Sequence, residues 1–232
     1  MIKINSALVL YFIAVVLFIC SFYFKSESLE LFSRPVIIPS IYYFYYTSVK
    51  GKVNLLFSLS IFSYFLAEIL FLISEIEYLI PRLIFNLIPY FAITFFLYQD
   101  FLYYFKKKKY KANSSILYLV AIFLLYLLYS VLSLTMDSPY IEFYIYITYA
   151  VLLFTIALLC FLIQFNFNNK TILYTILMVI CFIISDFFFV FATQMKDIVL
   201  LKMIFLITKQ LSFFLFTAYY INRTKYILWK KR

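Results

Sequence analysis

A chain of 232 residues that is 67 % hydrophobic and 13 % charged lies outside the range of soluble domains, which run near half apolar and about a quarter charged. Its one glycine, Gly51, excludes the glycine-rich loops that cradle nucleotide phosphates, and the absence of histidine excludes histidine-based triads and axial-histidine haem. Cys20, Cys160 and Cys181 sit inside apolar stretches without CxxC spacing, so no disulfide framework and no zinc site is expected.

A window of about 19 residues picks out eight apolar segments, taken here in chain order: 7–24, 35–49, 53–74, 82–105, 114–135, 140–165, 171–194 and 198–221. The first has Lys3 ahead of an apolar core, as a signal peptide would. No small-x-small cleavage site follows, and Leu17-Phe18-Ile19-Cys20 lacks the small residue of a lipoprotein signal, so it reads as a retained helix. The second is short and carries Pro35 and Pro39. The expected fold is all-α: a single integral-membrane domain over residues 1–232, an eight-transmembrane-helix bundle with both termini cytoplasmic. Its aromatic share of 24 %, beside abundant Ile, Leu, Lys and Asn, is what codon drift in an A/T-rich genome produces and is not read as an aromatic site.

Charge tests that span count. Eight spans place Lys3, Lys50, Lys52, Lys106 to Lys109, Lys111, Lys170, Arg223, Lys225, Lys230, Lys231 and Arg232 on one face. The opposite face gathers Glu27, Glu30, Glu75, Glu77, Asp137, Glu142 and Asp197, with a few cations such as Lys25, Arg34, Arg82 and Lys196. Such segregation follows the positive-inside rule. The net charge of +10 therefore reads as topology and attraction to anionic lipid headgroups in a cell membrane, a bacterial inner membrane, and not as nucleic-acid binding.

Most charged residues fall at span ends, where they snorkel; Asp100, beside the lysine run, is expected to do the same. Glu68 and Asp186 fall inside spans, where an ionised carboxylate costs about 2.5–3.5 kcal/mol or more, and such residues are functional candidates by default. Both lie about 9–12 Å below one surface by helix rise, a level at which carboxylates from two helices can share a pocket. Thr175, Asp186 and Thr193 share a face of the seventh helix, as do Lys202 and Lys209 on the eighth, with Gln210 adjoining. Buried carboxylate–lysine pairs also serve as plain register devices, and carboxyls as hydrogen-bond partners of tyrosines, so both readings stand at this level.

In this order on eight spans, the residues resemble the YhhN family of integral-membrane lysoplasmalogenases. The family's Lys-Pro before the second helix is met by Arg34-Pro35. Its Ser-x-x-Gly-Asp on the third helix is met by Tyr64-Phe65-Leu66-Ala67-Glu68, its Phe-x-x-Ser-Asp on the seventh by Phe182-Ile183-Ile184-Ser185-Asp186, and its glutamine on the eighth by Gln210. Tyr90 stands where the family's fourth helix usually carries histidine, and Ala67-Glu68 replaces Gly-Asp. The resemblance implies cleavage of the vinyl-ether bond of lysoplasmalogens to a fatty aldehyde and a glycerophospho-headgroup by two carboxyls, without metal or organic cofactor. It implies Glu68 and Asp186 as catalytic, with Glu68 the acid, Asp186 the ionised partner and the roles exchangeable. In the same reading Arg34, Tyr64, Tyr90, Ser185, Lys202, Lys209 and Gln210 are expected to line the lysophospholipid or ether-lipid substrate, with Arg34 and Lys202 on its phosphate. Two other classes remain open: a small proton- or solute-coupled carrier using the same carboxylates, and a scaffold or sensor subunit. Nothing in the sequence sets the oligomeric state.

Overall fold

The computed structural model describes residues 5–74, 77–106, 114–136, 139–166, 170–195 and 198–225. Lys3, Glu75, the lysines from Lys107 to Lys111, Asp137, Lys196, Asp197 and the tail from Lys230 to Arg232 lie outside them. The described residues form eight α-helices: α1 (Ser6–Phe24), α2 (Glu27–Ser48), α3 (Leu55–Ile73), α4 (Leu79–Phe105), α5 (Ser114–Ser133), α6 (Tyr140–Asn166), α7 (Lys170–Gln194) and α8 (Val199–Arg223). Among the described residues six stretches are long and apolar enough to cross a membrane: Ser6–Phe24, Leu55–Ile73, Leu79–Phe105, Tyr140–Gln164, Ile172–Thr193 and Val199–Arg223. The apolar part of α5, Tyr118–Ser133, is shorter, and α2 carries Glu27, Glu30 and Arg34 in its first half.

The chain divides into two compact units, Met1–Pro89 and Tyr90–Arg232, with the division inside α4. In the first unit α1 packs on α2 and α2 on α3. The buried positions of α1 are Ala7, Tyr11, Ala14, Phe18 and Ser21, a strict alternation of four and three that keeps one seam turned inward. Its other faces present Leu10, Ile13 and Val16 to the outside. Apolar residues both inside and outside are what a lipid-facing helix shows and a water-facing one does not.

Local chemistry sets the helix ends. The Asn5 and Asn54 side chains accept from the backbone N–H groups of Ala7 and Phe57 and so cap α1 and α3. Lys25, at φ 52°, closes α1, and the Ser26 N–H reaches back to the Ser21 carbonyl at 2.9 Å. The α2–α3 turn runs through two left-handed residues, Lys50 (φ 52°) and Gly51 (φ 74°). It is tied down by Tyr45, whose hydroxyl accepts from the Asn54 N–H at 2.8 Å and whose ring lies 4.3 Å from that of Phe57.

The start of α2 differs from the sequence expectation. The apolar run begins at residue 35, but the helix begins at Glu27 and passes through Pro35 and Pro39. Glu27 and Glu30 in the first turn suit the positive end of the helix dipole. The Ser33 hydroxyl on the Leu29 carbonyl and the Arg34–Glu30 pair brace the turn that Pro35 leaves without a backbone donor. Apolarity alone does not register a helix whose first two turns are polar. α4 likewise starts three residues earlier than expected, because Pro81 is tolerated in a first turn.

In the second unit α5 packs on α6, α6 on α7 and, most extensively, α7 on α8. The α4 segment from Tyr90 onward makes few close backbone approaches and joins these helices through long side chains.

Candidate functional site

The first unit builds one polar cluster. Arg34, 2 % exposed, donates from Nε to Glu68 Oε2 at 2.6 Å and from Nη1 to Glu30 Oε1 at 2.7 Å. Its guanidinium carbon stands 3.8 Å from the centre of the Phe71 ring and 5.1 Å from that of Phe18. The buried Arg82 guanidinium also stacks on Phe71, at 4.5 Å. Glu68 and Phe71 are three residues apart on α3 and so share the face on which Arg34 lies. Tyr64, one turn earlier on that face, is buried as well. The Ser63 hydroxyl donates to the Phe85 carbonyl, tying α3 to the first half of α4.

The second unit builds two clusters. Tyr90 of α4 directs its hydroxyl to both oxygens of Asp186 on α7, at 2.8 and 2.7 Å. Its buried ring is held edge-on by Tyr149 of α6 at 5.0 Å and Phe182 of α7 at 5.1 Å. Phe182 is one turn before Asp186, so the Phe-x-x-Ser-Asp run supplies both the acceptor and a wall of the tyrosine's slot. Lys209 of α8 acts on Asp186 electrostatically, and its ammonium lies 5.6 Å from the centre of the Phe205 ring. Ser185 and Gln210 are buried and Lys202 is half-buried. Thr193, on the polar stripe expected on α7, donates its hydroxyl back to the Val190 carbonyl.

The other cluster was not expected. Asp100, read from the sequence as snorkelling, is 3 % exposed and accepts from Arg223 Nε at 2.6 Å and from the Tyr219 hydroxyl at 2.6 Å. Arg223 is 4 % exposed, donates also to Gln99 Oε1 at 2.8 Å, and lies over Phe96 at 5.1 Å. A fully satisfied partner removes the reason to snorkel: the carboxylate meets two donors inside and needs no water.

The chain matches no protein-family model, no curated protein and no solved structure. Among the residues singled out in the sequence, Arg34 and Glu68 meet in the first unit, with Tyr64 on the same face of α3. Tyr90 and Asp186 meet in the second, with Lys209 in electrostatic reach. Among the described residues no group of three or more Cys, Asp and Glu has the arrangement of a metal site.

Proposed function

We propose that this chain is a multi-pass membrane hydrolase of the lysoplasmalogenase type, cleaving the vinyl-ether bond of a lysoplasmalogen to a fatty aldehyde and a glycerophospho-headgroup. The observation that carries it is the Tyr90–Asp186 contact: a carboxylate inside an apolar helix, oriented through both oxygens by a tyrosine that is itself held by two rings. Vinyl-ether hydrolysis asks for a proton at the terminal vinyl carbon. The oxocarbenium-like cation that results must then be stabilised, and the attacking water must lose a proton, roles that paired carboxyls fill in glycosidases. Asp186 takes the part of the carboxylate that faces the cation and accepts the proton of water. The hemiacetal so formed collapses to aldehyde and alcohol.

The family resemblance gives the acid's part to Glu68. In this reading Arg34 exchanges Glu68 for the phosphate of the substrate, and the Glu68 carboxyl is left for proton transfer. The same proposal includes eight spans in a bacterial inner membrane with both termini cytoplasmic. It is supported by the segregation of charge in the sequence and by the length of α2, whose 22 residues rise about 33 Å.

The test is aldehyde release by purified protein in detergent, from a lysoplasmalogen and from its saturated alkyl-ether analogue. Aldehyde from the vinyl ether alone, lost in Asp186→Asn, is the expected result; aldehyde release undiminished in that variant overturns the assignment. The second reading, a small carrier, is favoured by the two buried ion pairs, Arg34–Glu68 and Asp100–Arg223, since paired intramembrane charges also mark ion and solute paths. Solute uptake into sealed vesicles without any aldehyde product supports it.

A further inference from the structure

Two independent helix registers converge on Lys209. Along α4 and α8, Asp100 meets Arg223, Gln99 meets Arg223 and Phe96 meets Tyr220, at sequence separations of 123 to 124. Tyr219 reaches the same Asp100 at a separation of 119, a turn off as its length allows, and the pairs still advance together along both helices, so the two run in the same direction. Ten residues before Asp100 is Tyr90, and ten before Arg223 is Phe213, so these two stand at one level. A tyrosine in a helix leans toward the N-terminus of its own helix by about a turn, which carries the Tyr90 hydroxyl down to the level of Lys209 and Gln210. Along α7 and α8, which run in opposite directions, the rings of Phe189 and Phe205 meet at 5.3 Å. Three residues back from Phe189 is Asp186, and four residues on from Phe205 is Lys209. Both routes place Lys209 opposite the carboxylate that Tyr90 holds.

The α4 segment has few close backbone contacts with α8, so something else must hold that register. We infer that the buried Asp100–Arg223 ion pair is a positioning device that locks the axial register of α4 against α8 and thereby keeps the Tyr90 hydroxyl on Asp186, whose carboxyl it turns toward Lys209. The pair is suited to this. Arg223 is a planar fork gripping two acceptors on consecutive residues, Asp100 and Gln99, and Tyr219 one turn before it grips the second Asp100 oxygen. A slide of one turn would move about 5.4 Å and break all three bonds. Buried ionic groups that fix register are the best-attested use of such pairs. The α7–α8 packing already fixes Lys209 against Asp186, whereas Tyr90, ten residues before Asp100 on α4, is carried by any slide of that helix. The catalytic meaning of this device rests on the role proposed for Asp186; the register does not.

The experiment treats detergent-solubilised protein with a lipophilic carbodiimide. The reagent activates the Asp186 carboxyl, the Lys209 amine displaces it as the urea, and an amide joins α7 to α8, read by mass spectrometry. Wild type is expected to give the Asp186–Lys209 amide. Asp100→Asn is expected to lower its yield at least about fivefold and to lower kcat for aldehyde release on the order of tenfold with KM within about twofold, the signature of lost positioning. A lone buried Arg223 can unfold the chain, so Asp100→Leu with Arg223→Met, which removes both charges, is measured beside it; this pair is expected to fold and to lose the amide. Arg223→Lys, which keeps the charge, is expected to retain more of the amide than the double variant. No amide in wild type, or full yield in the folded double variant, overturns the inference. Amide behaviour as expected in a protein that releases no aldehyde supports the register and overturns the proposed reaction instead.

Discussion

Tyr90 presents one hydroxyl to two oxygens, sitting 2.8 Å from Asp186 Oδ1 and 2.7 Å from Oδ2. The near symmetry puts the phenol on the bisector of the carboxylate, where it orients the group without favouring either oxygen. The ring is fixed independently by Tyr149 and Phe182. Tyr90→Phe therefore removes the donor and keeps the packing. Loss of a hydrogen bond to a charged group is expected to cost about 1.5–3 kcal/mol of stability and to slow aldehyde release. Thermal unfolding in detergent and initial rates check both; an unchanged melting temperature would mean that Asp186 finds another donor at once.

Asp186→Asn keeps the size of the side chain and can still accept from Tyr90, but it provides neither a charge for a cation nor a site for the proton of water. Aldehyde release is expected to fall at least on the order of a thousandfold, while extraction yield and melting temperature change little. The loss should appear in kcat, since binding of the lipid tail does not pass through this group.

How much of this was legible in the sequence depends on how local each signal is. The eight apolar stretches became eight helices because apolar length is a local property. Asp186 stood out because an acid surrounded by Ile183, Ile184, Phe187 and Phe188 breaks the pattern of its own span. Glu68 stood out for the same reason and Arg34 through the family resemblance, yet their pairing was hidden: a separation of 34 residues carries no periodic signal. Asp100 and Arg223 were missed altogether. Each lies near a helix end with cationic neighbours, which reads as solvent, and only the approach of α4 to α8 across 123 positions turns two surface-like charges into a buried pair. The polar start of α2 was missed because its helix-forming features are charges that suit the dipole, not apolar spacing.

Gly51 tests the turn between α2 and α3. At φ 74° it occupies the left-handed region, and a Cβ there would meet the Tyr46 hydroxyl at 3.5 Å, an ordinary contact. Space is therefore not the obstacle, and Gly51→Ala is expected to cost only the backbone term, about 1–2 kcal/mol. Larger losses in a thermal unfolding series would show that the turn also depends on something packed against it.

The last prediction separates two roles of the Arg34–Glu68 pair. Glu68→Gln leaves the Arg34 guanidinium buried between Phe18 and Phe71 with, among the described residues, only the partly exposed Glu30 to balance it. Removing one partner of a buried pair costs about 3–5 kcal/mol, whereas removing both with apolar groups of similar volume is often neutral. Arg34→Met with Glu68→Met is thus expected to be more stable than Glu68→Gln alone, with a large favourable coupling in the double-mutant cycle. If the pair were structural only, activity would follow stability and return in the double variant. If Arg34 receives phosphate and Glu68 gives the proton, stability returns while aldehyde release stays absent. The divergence of those two measurements in one protein decides whether this buried pair holds α2 to α3, or holds it and also works on a lipid.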